Sequence, residues 1–173
     1  MQIEDDVRGS LVFVRIWNMN TDIIGAEVGV FDGINAATIL LHMPNVKLLY
    51  LIDPYENYHG HTDVPRHKAI GAENVTSFGD RKKWICKKFE ECTIEDIDQP
   101  LDFIYIDGDH EYDGVKNDIE NAVKFVKPGG VVCGHDYNVE NLPDVSRAVN
   151  DYCKDHSKLL KIWGGEWWFI NGG

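Results

Sequence analysis

Two short polar clusters gather titratable groups at points where an apolar run has just ended. Asp107-Gly108-Asp109-His110 closes the run Leu101 to Ile106, and His135-Asp136 closes Val131 to Gly134. Carboxylates accept hydrogen bonds or hold hard cations. An imidazole, with a reference pKa of about 6.5, takes and returns a proton near neutral pH. His110 is therefore the best placed general base, with Asp107 and Asp136 as its acidic neighbours at the reaction centre. A blander reading runs beside this one. Asp109 and His110 stand where a helical pattern begins and would serve there as caps.

These clusters meet only if the elements carrying them lie side by side. Leu101 to Ile106 and Val131 to Gly134 read as buried strands. Between them Tyr112, Val115, Ile119, Ala122, Val123 and Val126 recur at helical spacing, and Lys127-Pro128-Gly129-Gly130 ends the helix. A strand, a helix and a second strand form a right-handed parallel unit, so both clusters emerge at one carboxyl edge. Open α/β sheets keep their ligands at that edge.

The same pattern fills most of the chain. Ile23 to Val30 is an apolar run holding one acid, Glu27, and the glycines Gly25 and Gly29. Phe31-Asp32-Gly33 turns it into a helix from Ile34 to His42. Val46 to Ile52 is a second strand, closed by Asp53-Pro54-Tyr55. A helix within Pro65 to Val75 and a third strand from Lys83 to Phe89 follow. Val145, Ala148, Val149 and Tyr152 mark a further helix, and the runs around Gly164-Gly165 form a terminal hairpin. In that hairpin Trp167 and Trp168 alternate, one toward the core and the other toward solvent or a partner. The order predicts an open, mostly parallel sheet with helices on both faces. Residues 1–22 form a covering segment, with Leu11 to Trp17 read as helix.

The turn after the first strand is rich in glycine, which lets a ligand approach the backbone and the free N–H groups of the next helix. The dinucleotide fingerprint needs two glycines two apart. The spacing here is Gly29-x-x-x-Gly33, so that pattern fails. Glu27 would repel a phosphate and suits an ammonium or sulfonium group instead. Asp53, about 20 residues beyond the turn, is placed to accept hydrogen bonds from ribose hydroxyls. A turn carboxylate before Pro54 is the alternative.

The segments EVGVFDG, LYLIDPY, DFIYIDGDHEYDGVKNDI, KPGGVVCGHDY and GGEWWFI together resemble the class I S-adenosylmethionine-dependent methyltransferases. Within them the chain is most similar to the methyltransferase domain 24 group, related to sugar and macrolide O-methyltransferases. The resemblance covers roughly residues 23–171 and implies a Rossmann-like, seven-stranded α/β sheet in one domain over residues 1–173. It implies that Glu27, Gly29, Phe31 and Gly33 line the methionine end of the cofactor, Asp53 the ribose, and Phe89 with Glu90 the adenine, with Asp107 touching the cofactor too. In metal-dependent members the matching positions Asp107, His135 and Asp136 hold a divalent cation, magnesium or manganese. Where relatives carry an acid or amide, this chain has His135, and an imidazole tilts the choice toward manganese, iron or zinc. The Tyr55–Asp63 loop, with His59 and His61, reads either as a lid over the acceptor pocket or as a polar surface loop.

Composition narrows the partners. With 29 acidic against 17 basic residues and a net charge of −12, the surface disfavours nucleic acid and anionic membranes. Arg81-Lys82-Lys83 and Lys87-Lys88 are the local exceptions, read as a solvated turn and strand edge. The four cysteines form no CxxC pair, and the acidic start lacks the order of a signal peptide. The expectation is a cytoplasmic enzyme that methylates a hydroxyl of a small acceptor, with a homo-oligomer left open. A nucleotide-dependent oxidoreductase and a non-catalytic cofactor-binding module are the competing readings.

Overall fold

A computed structural model describes Leu11, Val14, residues 20–56 and residues 63–172. The apolar runs become seven strands: β1 (Ile23–Val28), β2 (Val46–Ile52), β3 (Lys82–Ile85), β4 (Leu101–Ile106), β5 (Val126–Gly134), β6 (Lys161–Trp163) and β7 (Glu166–Ile170). They form one sheet in the order β3-β2-β1-β4-β5-β7-β6. The first five run parallel, and β7 pairs antiparallel with both β5 and β6. The expected mostly parallel sheet with a terminal antiparallel hairpin is therefore the observed fold, and it is Rossmann-like.

Helices α1 (Ile34–His42), α2 (Val64–Asn74), α3 (Tyr112–Phe125) and α4 (Pro143–Asp155) connect the strands. One sheet face packs Ala26, Tyr50 and Ile104 against Val115, Ile119 and Ala122 of α3 and Val145, Ala148 and Val149 of α4. The other packs Leu49, Phe103 and Tyr105 against Ala36, Ile39 and Leu40 of α1. Leu11 and Val14 are helical and buried in this second layer; the rest of Leu11 to Trp17 lies outside the described residues.

Helix coverage on both faces corrects the reading of the two tryptophans. Trp167 is 1% exposed on the α3/α4 side, and Trp168 is 9% exposed on the α1 side. Alternation along β7 sends them to opposite faces, but neither face is solvent. The third strand is also shorter than expected. It stops at Ile85, and Phe89 falls in a short 3-10 turn, Phe89–Glu91.

Succession changes direction at β1: β2 follows on one side and β4 lies on the other, which opens a crevice beyond the carboxyl ends of β1 and β4. Each polar cluster leaves its strand at this edge. The ladder continues just past the strand ends, with Asp107 N–H donating to Val28 O (2.8 Å) and His135 N–H to Ile106 O (3.1 Å). Both polar segments are thereby pinned to neighbouring strands.

Candidate active site

A cleft of about 840 Å³ opens along this edge. Of the residues expected on the cofactor, Glu27, Gly29, Phe31, Asp53, Phe89, Glu90 and Asp107 line it, together with His110 and Asp136. Gly33 does not line it; its contribution is a left-handed backbone at the start of α1, with φ of 68°. The Tyr55–Asp63 lid loop, with His59 and His61, falls largely outside the described residues.

The glycine turn is held from two sides. Gly29 has φ of 82°, and a Cβ built on it would stand 2.1 Å from the Asp107 carbonyl oxygen. Only glycine lets the β1 and β4 loops come this close. Asp53 braces the turn from β2. Its Oδ2 accepts from the N–H of Val30 (3.0 Å) and Phe31 (2.9 Å), and its Oδ1 from Tyr55 N–H (2.7 Å). A carboxylate has about four acceptor positions, so part of this one still faces the cleft. Glu27 is 1% exposed, and Asn35 Nδ2 donates to its Oε1 at 3.0 Å. A carboxylate this buried favours a cationic group in front of it.

The two polar clusters meet as expected from parallel strands. His110 Nε2 lies 3.0 Å from Asp136 Oδ2, and His135 Nδ1 lies 2.9 Å from Asp136 Oδ1. Flanked by both imidazoles, first of all His110, the Asp136 carboxyl is held well below the usual carboxylate range. The Asp136 pair in turn raises the His110 pKa, against the opposing pull of burial. Asp136 has φ of 61°, a left-handed conformation uncommon outside glycine, which turns its side chain between the two rings.

The two histidines differ in place. Donor atoms of Asp107, His110 and Asp136 all lie within 4.8 Å of one another. His135 stands behind this group, lining a small void with Trp167 and Val145 instead of the cleft. Its Nδ1 is 3.9 Å from Asp107 Oδ1, and its Nε2 is 3.6 Å from Glu166 Oε1 on β7, which also accepts from Tyr105 Oη at 3.0 Å. The geometry thus brings His110 to the two aspartates from the cleft, while His135 meets the same two aspartates from the void behind them.

Further cleft residues make contacts that the sequence reading did not assign. Tyr55 Oη donates to Phe31 O (2.9 Å), and the His67 ring stacks on Phe31 at 4.0 Å with its Nδ1 2.6 Å from Asp32 Oδ1. Asn35 and Asp118 also line the cleft. Asn35 had a legible signal, an amide in the first turn after a glycine turn; the others depend on folding distant segments together. Asp109 accepts from Glu111 N–H at 2.8 Å in a turn just before α3, so it does not cap the helix, whose N-cap residue is Glu111 and which has no side-chain cap hydrogen bond. The basic residues near β3 are taken up locally, Arg81 by the carbonyls of Val46 and Met43 (both 3.0 Å), Lys87 by Asp96 (2.7 Å) and Lys88 by Glu56 (3.8 Å).

The profile of the methyltransferase domain family matches residues 26–137, from the glycine turn through Asp136. The chain belongs to that family. Among curated proteins, this methyltransferase domain is similar to the uncharacterized protein R132 of Acanthamoeba polyphaga mimivirus, 26% identical over 138 residues. That match takes in 78% of this chain and 61% of the viral protein, so the domain spans about three fifths of that relative's length. Among solved structures it is similar to CalS11, a TDP-rhamnose 3'-O-methyltransferase (TM-score 0.66, 14% identity, 95% of this chain and 79% of that one). It is also similar to the O-methyltransferase NovP (0.68, 16%, 99% and 80%) and to an rRNA methylase from Streptococcus thermophilus (0.66, 11%, 95% and 98%). At these identities the likeness is one of fold. No helix among the described residues is long and apolar enough to cross a membrane.

Proposed function

We propose that this chain transfers the methyl group of S-adenosylmethionine to a hydroxyl of a small acceptor such as a sugar. Family membership supports the cofactor, and the cleft supplies what it needs. Glu27 suits the cationic amino-acid end, Asp53 the ribose, and the Asp107–His110–Asp136 group the place where the methyl moves. Transfer is an in-line displacement, in which the hydroxyl oxygen bonds to the methyl carbon as the carbon–sulfur bond breaks. The protein's main task is then to align oxygen, carbon and sulfur.

The observation that carries the mechanism is the 3.0 Å pair between His110 Nε2 and Asp136. Nε2 is closed off from solvent 3.0 Å from the Asp136 carboxylate, outside hydrogen-bond alignment, and Nδ1 is the nitrogen we assign as the base. His110 then takes the acceptor's hydroxyl proton while Asp136 steadies the imidazolium. Asp107, His110 and Asp136 also have the donor types to hold a divalent cation such as manganese or magnesium, which when bound would polarise the acceptor hydroxyl.

A small neutral acceptor suits the charge of the site better than RNA does. Among the described residues the cleft is lined by Glu27, Asp32, Asp53, Glu56, Glu90, Asp107, Asp109, Asp118 and Asp136, and Lys88, which also lines it, is paired with Glu56. Polyanion binding requires the opposite sign. CalS11, on the same fold, acts on a nucleotide-linked sugar by its name, and a sugar hydroxyl is the acceptor we assign to this chain.

The test is a screen of sugar acceptors with methyl-labelled S-adenosylmethionine, followed by His110→Asn and Asp136→Ala with the acceptor found. Each variant should lose about 10²–10⁴ in turnover and bind S-adenosylhomocysteine as the parent protein does. Full activity in both would remove the His–Asp pair from the mechanism.

A further inference from the structure

One carboxyl in the cleft has no task in this reading. Asp118 stands about two turns into α3 and lies over the loop after β4; a Cβ on Gly108 would come within 3.6 Å of its Oδ2. Phe89, Glu90, Gly114 and Asn117 line the cleft around it. Among the described residues nothing donates a hydrogen bond to it, and the charged groups that face it, Asp109 from the β4 loop and Glu90 after β3, are both acids. Burial first, and then these two neighbours, push its pKa up to about 7.

Its position along the edge says what it meets. From the reacting group at β4 and β5, the cleft runs past Glu27 and Asp53 at β1 and β2 to Phe89 and Glu90 beyond β3. A nucleoside whose sulfur lies at the reacting group and whose ribose lies at Asp53 has only the β3 end left for its base. Ile52 and Phe89 give that end an apolar lining. The polar edge of adenine then needs a group that both accepts and donates. An exocyclic amine is a donor, and the ring nitrogen beside it is an acceptor.

We propose that Asp118 binds the adenine edge as a neutral carboxylic acid, its carbonyl oxygen accepting from the 6-amino group and its hydroxyl donating to the adjacent ring nitrogen. The assignment rests on the proposed cofactor and adds the residue that reads its base. The protonated form binds, so affinity for the nucleoside falls as pH rises above about 7.

Calorimetric titration of the whole chain with S-adenosylhomocysteine and with its analogue lacking the 6-amino group tests this. The parent protein should lose about tenfold in S-adenosylhomocysteine affinity between pH 6 and pH 8.5. Asp118→Asn keeps an acceptor and a donor without a titrating proton, so it should restore tight binding that is flat across this range. Asp118→Ala should weaken S-adenosylhomocysteine about tenfold and the desamino analogue much less, a coupling that a loss of local packing would not produce. Equal losses for both ligands, or a pH profile unchanged in Asp118→Asn, would overturn the role of Asp118 while leaving the cofactor in place. Failure of the parent protein to bind S-adenosylhomocysteine at any pH would overturn the cofactor reading and this inference with it.

Discussion

Asp118 also bears on stability, because its carboxyl keeps its proton in the folded chain after an unfolded chain has lost it. The folded pKa of about 7 lies above the reference value of 3.8, so the native state binds more protons across that window. Stability from this group is fully present below the unfolded value and is lost as pH rises through about 7. Replacing it with asparagine removes the penalty. Asp118→Asn should exceed the parent by about 2 kcal/mol at pH 8, roughly half the full linkage value because the side chain keeps some solvent contact, and the gain should vanish near pH 4. Urea denaturation at the two pH values measures it, and a gain independent of pH would contradict the half-buried, acid-flanked carboxyl as its cause. Residues of this kind were hard to read in the sequence. Asp107, His110 and Asp136 announced themselves as polar ends of apolar runs. Asp118 sits one position from the buried stripe of Val115, Ile119 and Ala122 and looks like any solvated helix acid. His135 was legible as a candidate, but its surroundings were not, since its ring lies between Asp136 at 2.9 Å and Glu166, 31 residues later on the terminal strand, at 3.6 Å.

At the level of elements, the glycine turn joins β1 to α1 and determines how near the β4 loop approaches. Gly29→Ala should cost at least about 2 kcal/mol and abolish S-adenosylhomocysteine binding, since both a positive φ and a backbone collision oppose the new Cβ. Gly79 is the control. It has φ of 54° and ψ of −128° with nothing within 4 Å, so Gly79→Ala should cost about 1–3 kcal/mol of backbone strain alone and leave binding intact. Equal effects at the two positions, read by thermal melts and titration, would show that the close approach to Asp107 is not what Gly29 serves. The glycine spacing identified this turn from sequence alone. What it left open was Asp53, whose contacts to the Val30, Phe31 and Tyr55 amides show it bracing the turn as well as facing the cleft. A single carboxylate before a proline fits both roles, and only the tertiary structure shows that it has the first.

Across the whole molecule, apolar runs at regular intervals made the parallel sheet legible, because strands covered on both faces carry few polar residues. Glu27 was the exception in β1, and the exception marked the site. Less legible was the reach of the helix layers. Treating β7 as a half-exposed strand placed one tryptophan in solvent, whereas helices on both sides bury Trp167 and Trp168 alike. The same architecture places the carboxyl ends of β1, β2, β4 and β5 around one acidic cleft. The proposed function depends on that cleft holding the cofactor in one orientation. A crystal structure with S-adenosylhomocysteine bound tests this most directly. The expected result is the amino-acid end near Glu27, the ribose at Asp53, the base between Phe89 and Asp118, and the sulfur facing His110. Density for the ligand outside the cleft, or in it with the base at Glu27, would contradict the account.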